Sequence, residues 1–194
     1  EEAGTVMRQL LSSAADSHRL RDWVTQTPWT ANVAARFVGG QTLDTAIGAA
    51  RRIVASGTTV SYDHLGEHVG RAEEAVATRK RYEELISALV DAGLAAGADL
   101  SVKLSSLGLG LGPDGPDLAV EHAEAIAQAA QEVGATVTVD MEDYPSVAPT
   151  LAVVHRLREQ VPSVGVAVQA ALRRTQDDCQ ALAQAGARVR LCKG

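Results

Sequence analysis

The sequence predicts an α/β fold of parallel strands and helices, of the (β/α) barrel type, on three observations. Five short apolar runs rich in β-branched residues recur along the chain, and helical segments separate them. Each run carries a polar side chain at or near its C-terminal end: Asp63, Lys103, Asp140, Gln169 and Arg190. Strands buried on both faces reject unpaired charge, so five polar endings in succession call for a reason. A barrel supplies one, because the C-terminal ends of its strands and the loops after them build the site. An open doubly wound sheet concentrates its site at a switch point instead.

The elements follow in order. Residues 1–40 read as a helical lead-in with polar breaks, Trp23 and Trp29 flanking a Thr27-Pro28 turn. A helix over about residues 43–55 stops at Gly57, and the first strand is Thr58-Thr59-Val60-Ser61-Tyr62-Asp63. An amphipathic helix over about 72–96, with Leu85, Leu89 and Leu94 in its apolar stripe, ends at Gly97 before Leu100-Ser101-Val102-Lys103. A helix over about 117–133 ends at Gly134 and leads into Thr136-Val137-Thr138-Val139-Asp140. The helix over about 146–160 runs into Pro162 before Val164-Gly165-Val166-Ala167-Val168-Gln169. The last helix, about 176–185, is capped by Thr175 with Asp178 in a capping-box position and ends at Gly186 before Arg188-Val189-Arg190-Leu191-Cys192-Lys193. Regular alternation of this kind predicts right-handed βαβ units from residue 41 onward. Five strands do not close an eight-stranded cylinder, so the expectation is an incomplete (β/α)₈ TIM-type barrel, the front part of a longer chain.

Composition bounds the function. The 194 residues are 46% hydrophobic and 22% charged, enough for one substantial core. Net charge is -6, and the basic clusters Arg51-Arg52, Arg79-Lys80-Arg81 and Arg173-Arg174 are short and suit solvated helix faces, which argues against nucleic acid. No apolar run reaches the roughly 18 residues of a membrane span, and no signal peptide is expected. Cys179 and Cys192 make neither a metal pattern nor a disulfide framework, and a reducing cytoplasm fits them.

Two motifs compete with a barrel site and are set aside. Gly110-Leu111-Gly112-Pro113-Asp114-Gly115 spells a dinucleotide fingerprint, but Pro113 and Pro116 remove amides a pyrophosphate needs, and the helix is expected only after the turn. His64-Leu65-Gly66-Glu67-His68 spells an inverzincin pattern, but Gly66 breaks the helix such a zinc site requires, leaving a loop with two solvated histidines and no metal. His18, His122 and His155 are expected on surfaces. Asp177-Asp178 and Glu73-Glu74 read as helix N-terminal or surface charges. Glu142-Asp143 is read the same way, a support for the rim being the alternative.

The strand-end segments also carry a resemblance. Ser101-Val102-Lys103-Leu104-Ser105-Ser106-Leu107-Gly108, Val139-Asp140-Met141-Glu142-Asp143, Val168-Gln169-Ala170-Ala171-Leu172-Arg173-Arg174-Thr175 and Arg190-Leu191-Cys192-Lys193-Gly194 are similar, in that order, to successive motifs of flavin-dependent proline dehydrogenases. Arg36-Phe37-Val38-Gly39-Gly40 and Tyr62-Asp63-His64-Leu65-Gly66-Glu67 resemble the segments upstream of them, so the match runs from about residue 34 to 194. The resemblance implies a barrel with FAD across its mouth, oxidising L-proline to Δ1-pyrroline-5-carboxylate by hydride transfer to flavin N5. It implies Asp140 and Arg190 at the catalytic centre, with Arg190 also beside the flavin, and Lys103 and Leu191 toward proline. Met141, Gln169, Lys193 and Gly194 match flavin-contacting positions.

A quinone acceptor, and with it a peripheral position at the inner face of a membrane, belongs to the same implication. Two departures stand out. Cys192 occupies a position where an aliphatic residue is usual, and the family's last three strands and final helix, with their paired arginines, are absent, so this chain carries half a site. Another flavin barrel, such as a methylenetetrahydrofolate reductase, and a non-catalytic barrel fragment are the rival readings.

Overall fold

Short β-branched runs alternating with Gly-terminated helices give, in the computed structural model, five parallel strands in chain order. The structure describes residues 39, 40, 42–66 and 68–193. The strands are β1 (Ser61–Asp63), β2 (Asp99–Val102), β3 (Thr136–Val139), β4 (Gly165–Gln169) and β5 (Val189–Cys192). Every neighbouring pair is parallel, and the sheet order repeats the sequence order. Among the described residues no strand order reverses, so these five strands have no switch point, against the doubly wound alternative. The sheet is open, with β1 and β5 at its edges.

The helices are α1 (Leu43–Ala55), α2 (Ala72–Asp91), α3 (Gly115–Glu132), α4 (Val147–Gln160) and α5 (Thr175–Gln184), with a 3₁₀ turn at Leu104–Leu107 after β2. The chain divides into two compact units, residues 1–49 and 50–194, the boundary falling inside α1. The lead-in expected over 1–40 lies outside the described residues except for Gly39 and Gly40. In the first unit, Thr42 and Thr45 exchange hydrogen bonds, Thr42 N to Thr45 Oγ1 at 3.1 Å and Thr45 N to Thr42 Oγ1 at 3.4 Å, which satisfies the first amides of α1.

In the second unit the period-2 alternation of each strand separates two faces. Leu100, Val102, Val137, Val139, Val166 and Val168 are all essentially buried on the helix side, where α3 packs on β3 and α4 on β4, and Leu89 of α2, Ile126 of α3 and Leu157 of α4 are buried as well. Each such side chain contributes about 1.5–3 kcal/mol of burial. The opposite face carries Ser61, Asp63, Asp99, Ser101, Thr136, Thr138, Gln169 and Arg190. The register sets Ser61 beside Asp99, and Asp99 beside Thr136, so polar side chains from adjacent strands meet on one surface.

Several local expectations change. Helix α2 stops at Asp91 rather than near residue 96, because Gly93 takes φ 70° and Leu94 N bonds back to Leu89 O at 2.8 Å. The capping box at Thr175 does not form: the helix already includes Thr175, whose hydroxyl donates to Gln169 O at 2.5 Å, while Asp178 pairs with Arg174 at 2.7 Å. Helix α3 begins inside the glycine motif, at Gly115, with Pro116 in its first turn. Amides of that loop are already used, Leu111 N on Gly108 O, Gly112 N on Gly110 O and Gly115 N on Gly112 O. His122 is not on the surface; it is 3% exposed within α3.

Candidate functional site

On the polar face two carboxylates organise everything else. The lower one, Asp99 at the start of β2, accepts from Thr136 Oγ1 at 2.8 Å and from Thr138 Oγ1 at 2.9 Å. Ser61 Oγ adds a bond at 3.3 Å and Arg188 Nη2 one at 2.9 Å. The upper one, Asp140, follows β3 directly; its backbone N–H still pairs with Val102 O at 2.8 Å, which holds the side chain at the strand end.

Arg190 crosses from β5 to reach three other strands. Its Nη2 donates to Asp140 Oδ1 and to Ser101 Oγ, the latter at 2.6 Å. Its Nη1 reaches Ser61 Oγ at 3.4 Å and stands 3.9 Å from Asp99 Oδ2. Lys103, just past β2, lies between two carboxylates, 2.6 Å from Asp63 Oδ2 and 3.9 Å from Asp140 Oδ2. Side-chain exposure is 16% for Lys103, 19% for Asp140 and 37% for Arg190, so these charges are partly withdrawn from water and their mutual pairing offsets the desolvation.

A cavity of about 710 Å³ opens above them, in the size range of small-molecule sites. Lys103, Asp140, Met141, Gln169, Arg190 and Lys193 all line it, together with His68 and Cys192. Its rim is a chain of hydrogen bonds between successive loops. His68 N and Val69 N bond to Ser105 Oγ and Ser105 O, at 3.4 and 3.3 Å. Ser105 N donates to Glu142 Oε2 at 3.0 Å, and Glu142 O accepts Gln169 Nε2 at 2.8 Å. A carbonyl only accepts, so the Gln169 amide must turn its nitrogen to Glu142 and keep its oxygen for other partners.

Two titratable groups border this region. Burial, then the Arg81 charge, pulls the His64 imidazole below its ordinary value against the pull of Asp63. Burial, then the Asp63 charge, pushes the Tyr82 hydroxyl above its ordinary value; it donates to Ser101 O at 2.7 Å.

Of the residues singled out from sequence, Lys103, Asp140, Met141, Gln169, Arg190 and Lys193 are thus brought together, with Asp63 joined through Lys103. Leu191 is not among them: it lies between the cavity residues Arg190 and Cys192, alternation turns it to the other face of β5, and it is 65% exposed. Gly194 lies outside the described residues. Glu142 belongs to the rim rather than to the start of α4; Asp143 takes that role, accepting from Ser146 N at 3.1 Å. Glu67 lies outside the described residues, His64 is half-buried, and among the described residues no metal-ligand cluster assembles. Sequence reasoning passed over Ser61, Asp99 and Ser101. Their signal was the alternation itself, since Asp99 and Ser101 share a face with Lys103 and all three are polar.

Comparison with known proteins agrees with this geometry. A family model described as proline dehydrogenase matches residues 46–194. Proline dehydrogenase 1 of Bacillus subtilis (strain 168) is 32% identical over 161 residues, 83% of this chain and 52% of the relative. Proline dehydrogenase 2 of the same strain is 34% identical over 168 residues, 86% of this chain and 54% of the relative. The chain therefore spans about half the length of these relatives. Among solved structures, proline utilization A (PutA) from Bdellovibrio bacteriovorus superposes with a TM-score of 0.75 at 23% identity, over 85% of this chain and 20% of that one. A bifunctional proline utilization A protein gives 0.61 at 27% identity, over 80% of this chain and 18% of that one.

Proposed function

The chain belongs to the proline dehydrogenase family, and from that premise we propose that it forms the front part of a barrel that oxidises L-proline to Δ1-pyrroline-5-carboxylate with FAD as electron acceptor. The lead-in over 1–40 and the barrel portion from 41 belong to the same proposal. The observation that carries it is the convergence of Lys103, Asp140, Gln169 and Arg190, from four successive strand ends, on one cavity.

The residues fit the cofactor. Two cations, Arg190 and Lys193, a polar amide, Gln169, and an apolar side chain, Met141, line a cavity of about 710 Å³, which suits a flat ring with a polar edge that gains negative charge on reduction. When bound, FAD would supply the two-electron acceptor for this oxidation. Met141, Gln169 and Lys193, which line the cavity, would hold it, and Gly194 is assigned to the same set by the family resemblance alone. Arg190, kept in place by Asp140 and Ser101, presents a fixed positive charge that needs no reorganisation as charge develops. Lys103 attracts the substrate carboxylate, and Asp140 keeps both cations oriented. Proline would react with its ring nitrogen unprotonated, the ammonium proton having passed to solvent; the nitrogen lone pair would form the C=N bond as the hydride leaves the adjacent carbon, and the iminium N–H proton would then also pass to solvent. Leu191, on the far face of β5, is not required for this reading.

The electrons pass on to a quinone-type acceptor, from a cytoplasmic protein or one held at the inner face of a membrane. No described helix is long and apolar enough to cross a membrane. The test is purification of the intact protein: a bound flavin spectrum, bleached by L-proline and coupled to an artificial acceptor, is the expected result. A colourless, proline-inert protein would overturn the reading.

A further inference from the structure

We propose that Ser101 is a positioning residue for Arg190, fixing the guanidinium over the cavity by bridging it to Asp140; the inference rests on the flavoenzyme reading above. Three atoms form a closed triangle. Arg190 Nη2 donates to Ser101 Oγ at 2.6 Å, Ser101 Oγ donates to Asp140 Oδ1 at 2.8 Å, and Arg190 Nη2 also donates to that same oxygen. The single hydroxyl proton has one consistent use: Arg190 offers only donors and Asp140 only acceptors, so Ser101 must accept from the first and give to the second.

The bridge is itself rigid. Ser101 is 4% exposed on β2, a strand paired on both sides, and is flanked along it by the fully buried Leu100 and Val102. Its carbonyl takes the Tyr82 hydroxyl at 2.7 Å, from a tyrosine 1% exposed in α2. Arg190, by contrast, lies on the edge strand β5 and is the most exposed member of the triangle. Left to Asp140 alone it would keep an ion pair but lose one of the two anchors that set its plane; Ser61, at 3.4 Å, is the weaker remaining support. Ser101 touches neither the cavity nor its contents, so its influence on chemistry passes through Arg190.

The test compares the intact wild-type protein with Ser101→Ala and Ser101→Thr. Ser101→Ala removes the hydroxyl without adding volume; Ser101→Thr keeps it. The expected result is about a tenfold loss in stabilisation of the reduced flavin in Ser101→Ala, read as a two-electron midpoint potential about 30 mV more negative. Proline-dependent flavin reduction slows about tenfold in parallel, with the Kd for proline unchanged, and Ser101→Thr restores both. A Ser101→Ala potential equal to wild type overturns the inference. Should the wild-type protein carry no flavin, the functional reading falls, and crystal structures of the wild type and Ser101→Ala decide the positioning role alone. A guanidinium shifted by about 1 Å or split between conformers supports it, and an unmoved one overturns it.

Discussion

Lys103 Nζ lies 2.6 Å from Asp63 Oδ2, an ion pair that joins the end of β1 to the end of β2 at the cavity mouth. Asp140 Oδ2 stands 3.9 Å away on the other side. Lys103 is therefore held between two anions and supplies the positive charge that an incoming carboxylate would share.

Removing that ammonium would take from Asp63 its Lys103 partner and leave Asp140 to Arg190, with no cation between the two carboxylates to receive the carboxylate of the proposed substrate. Lys103→Met is expected to lower kcat/KM for L-proline by about 10²-fold, about 2.7 kcal/mol, mostly through KM. Lys103→Arg should retain more. Steady-state kinetics of the intact protein check this, and an unchanged KM in Lys103→Met counts against the assignment.

Arg190 spans β1, β2 and β3 in a way an ammonium does not reproduce, because one guanidinium serves Asp140, Ser101 and Ser61 with separate N–H groups. Arg190→Lys keeps the charge and loses the fork. Flavin reduction by proline is expected to slow by about 10²–10³-fold, the cost of losing a preorganised donor. Rapid-mixing absorbance measures it, and a rate within about threefold of wild type would sink the role.

His122 is buried in α3, and neither ring nitrogen has a hydrogen-bond partner. Burial holds its imidazole below the ordinary value; the Arg79 charge adds to this, and Glu121 and Glu83 oppose it. The unfolded chain therefore binds more protons than the folded one once pH drops below about 6.5, so stability is lost as pH falls through that value and levels off below the depressed folded one. His122→Leu should remove this component and raise stability at pH 7 by about 1 kcal/mol, since an unpaired buried polar group is deleted. Urea midpoints on both sides of the window test it. His64, shifted in the same direction, leaves a residual acid sensitivity.

Gly115 opens α3 under two carbonyls of the preceding turn. A Cβ there would sit 2.5 Å from Leu109 O and 2.8 Å from Gly108 O, both backbone atoms. Alanine improves helix propensity by about 1 kcal/mol, but a backbone clash costs about 1–3 kcal/mol, and the clash is expected to win. Gly115→Ala should lower the denaturation midpoint; a higher one would show that the turn yields.

Thr150 in α4 is fully buried with an unpartnered hydroxyl. Thr150→Val keeps the shape and removes that group, so a gain of about 1 kcal/mol is expected in the same denaturation assay. A loss would mean the hydroxyl is satisfied in solution.

Element type and order were legible because they depend on local chemistry: β-branched runs, glycines after helices, and prolines that stop them. Strand-end polarity likewise announced Lys103, Asp140, Gln169 and Arg190 as a group. Boundaries shifted where a local signal had two possible users. Gly93 ended α2 before Gly97 could, and the Thr175 hydroxyl went to Gln169 O instead of to a cap.

What the amino-acid order by itself determined is the alternation of faces along each strand, and with it which side chains are candidates to meet. Only tertiary structure decided the partners. The stagger between strands sets Ser101 between Asp140 and Arg190, residues 39 and 89 positions away, while helix packing, α3 lying against α2, buries His122. Those distances arise from packing five strands side by side, and no local pattern encodes how far one strand slides against the next.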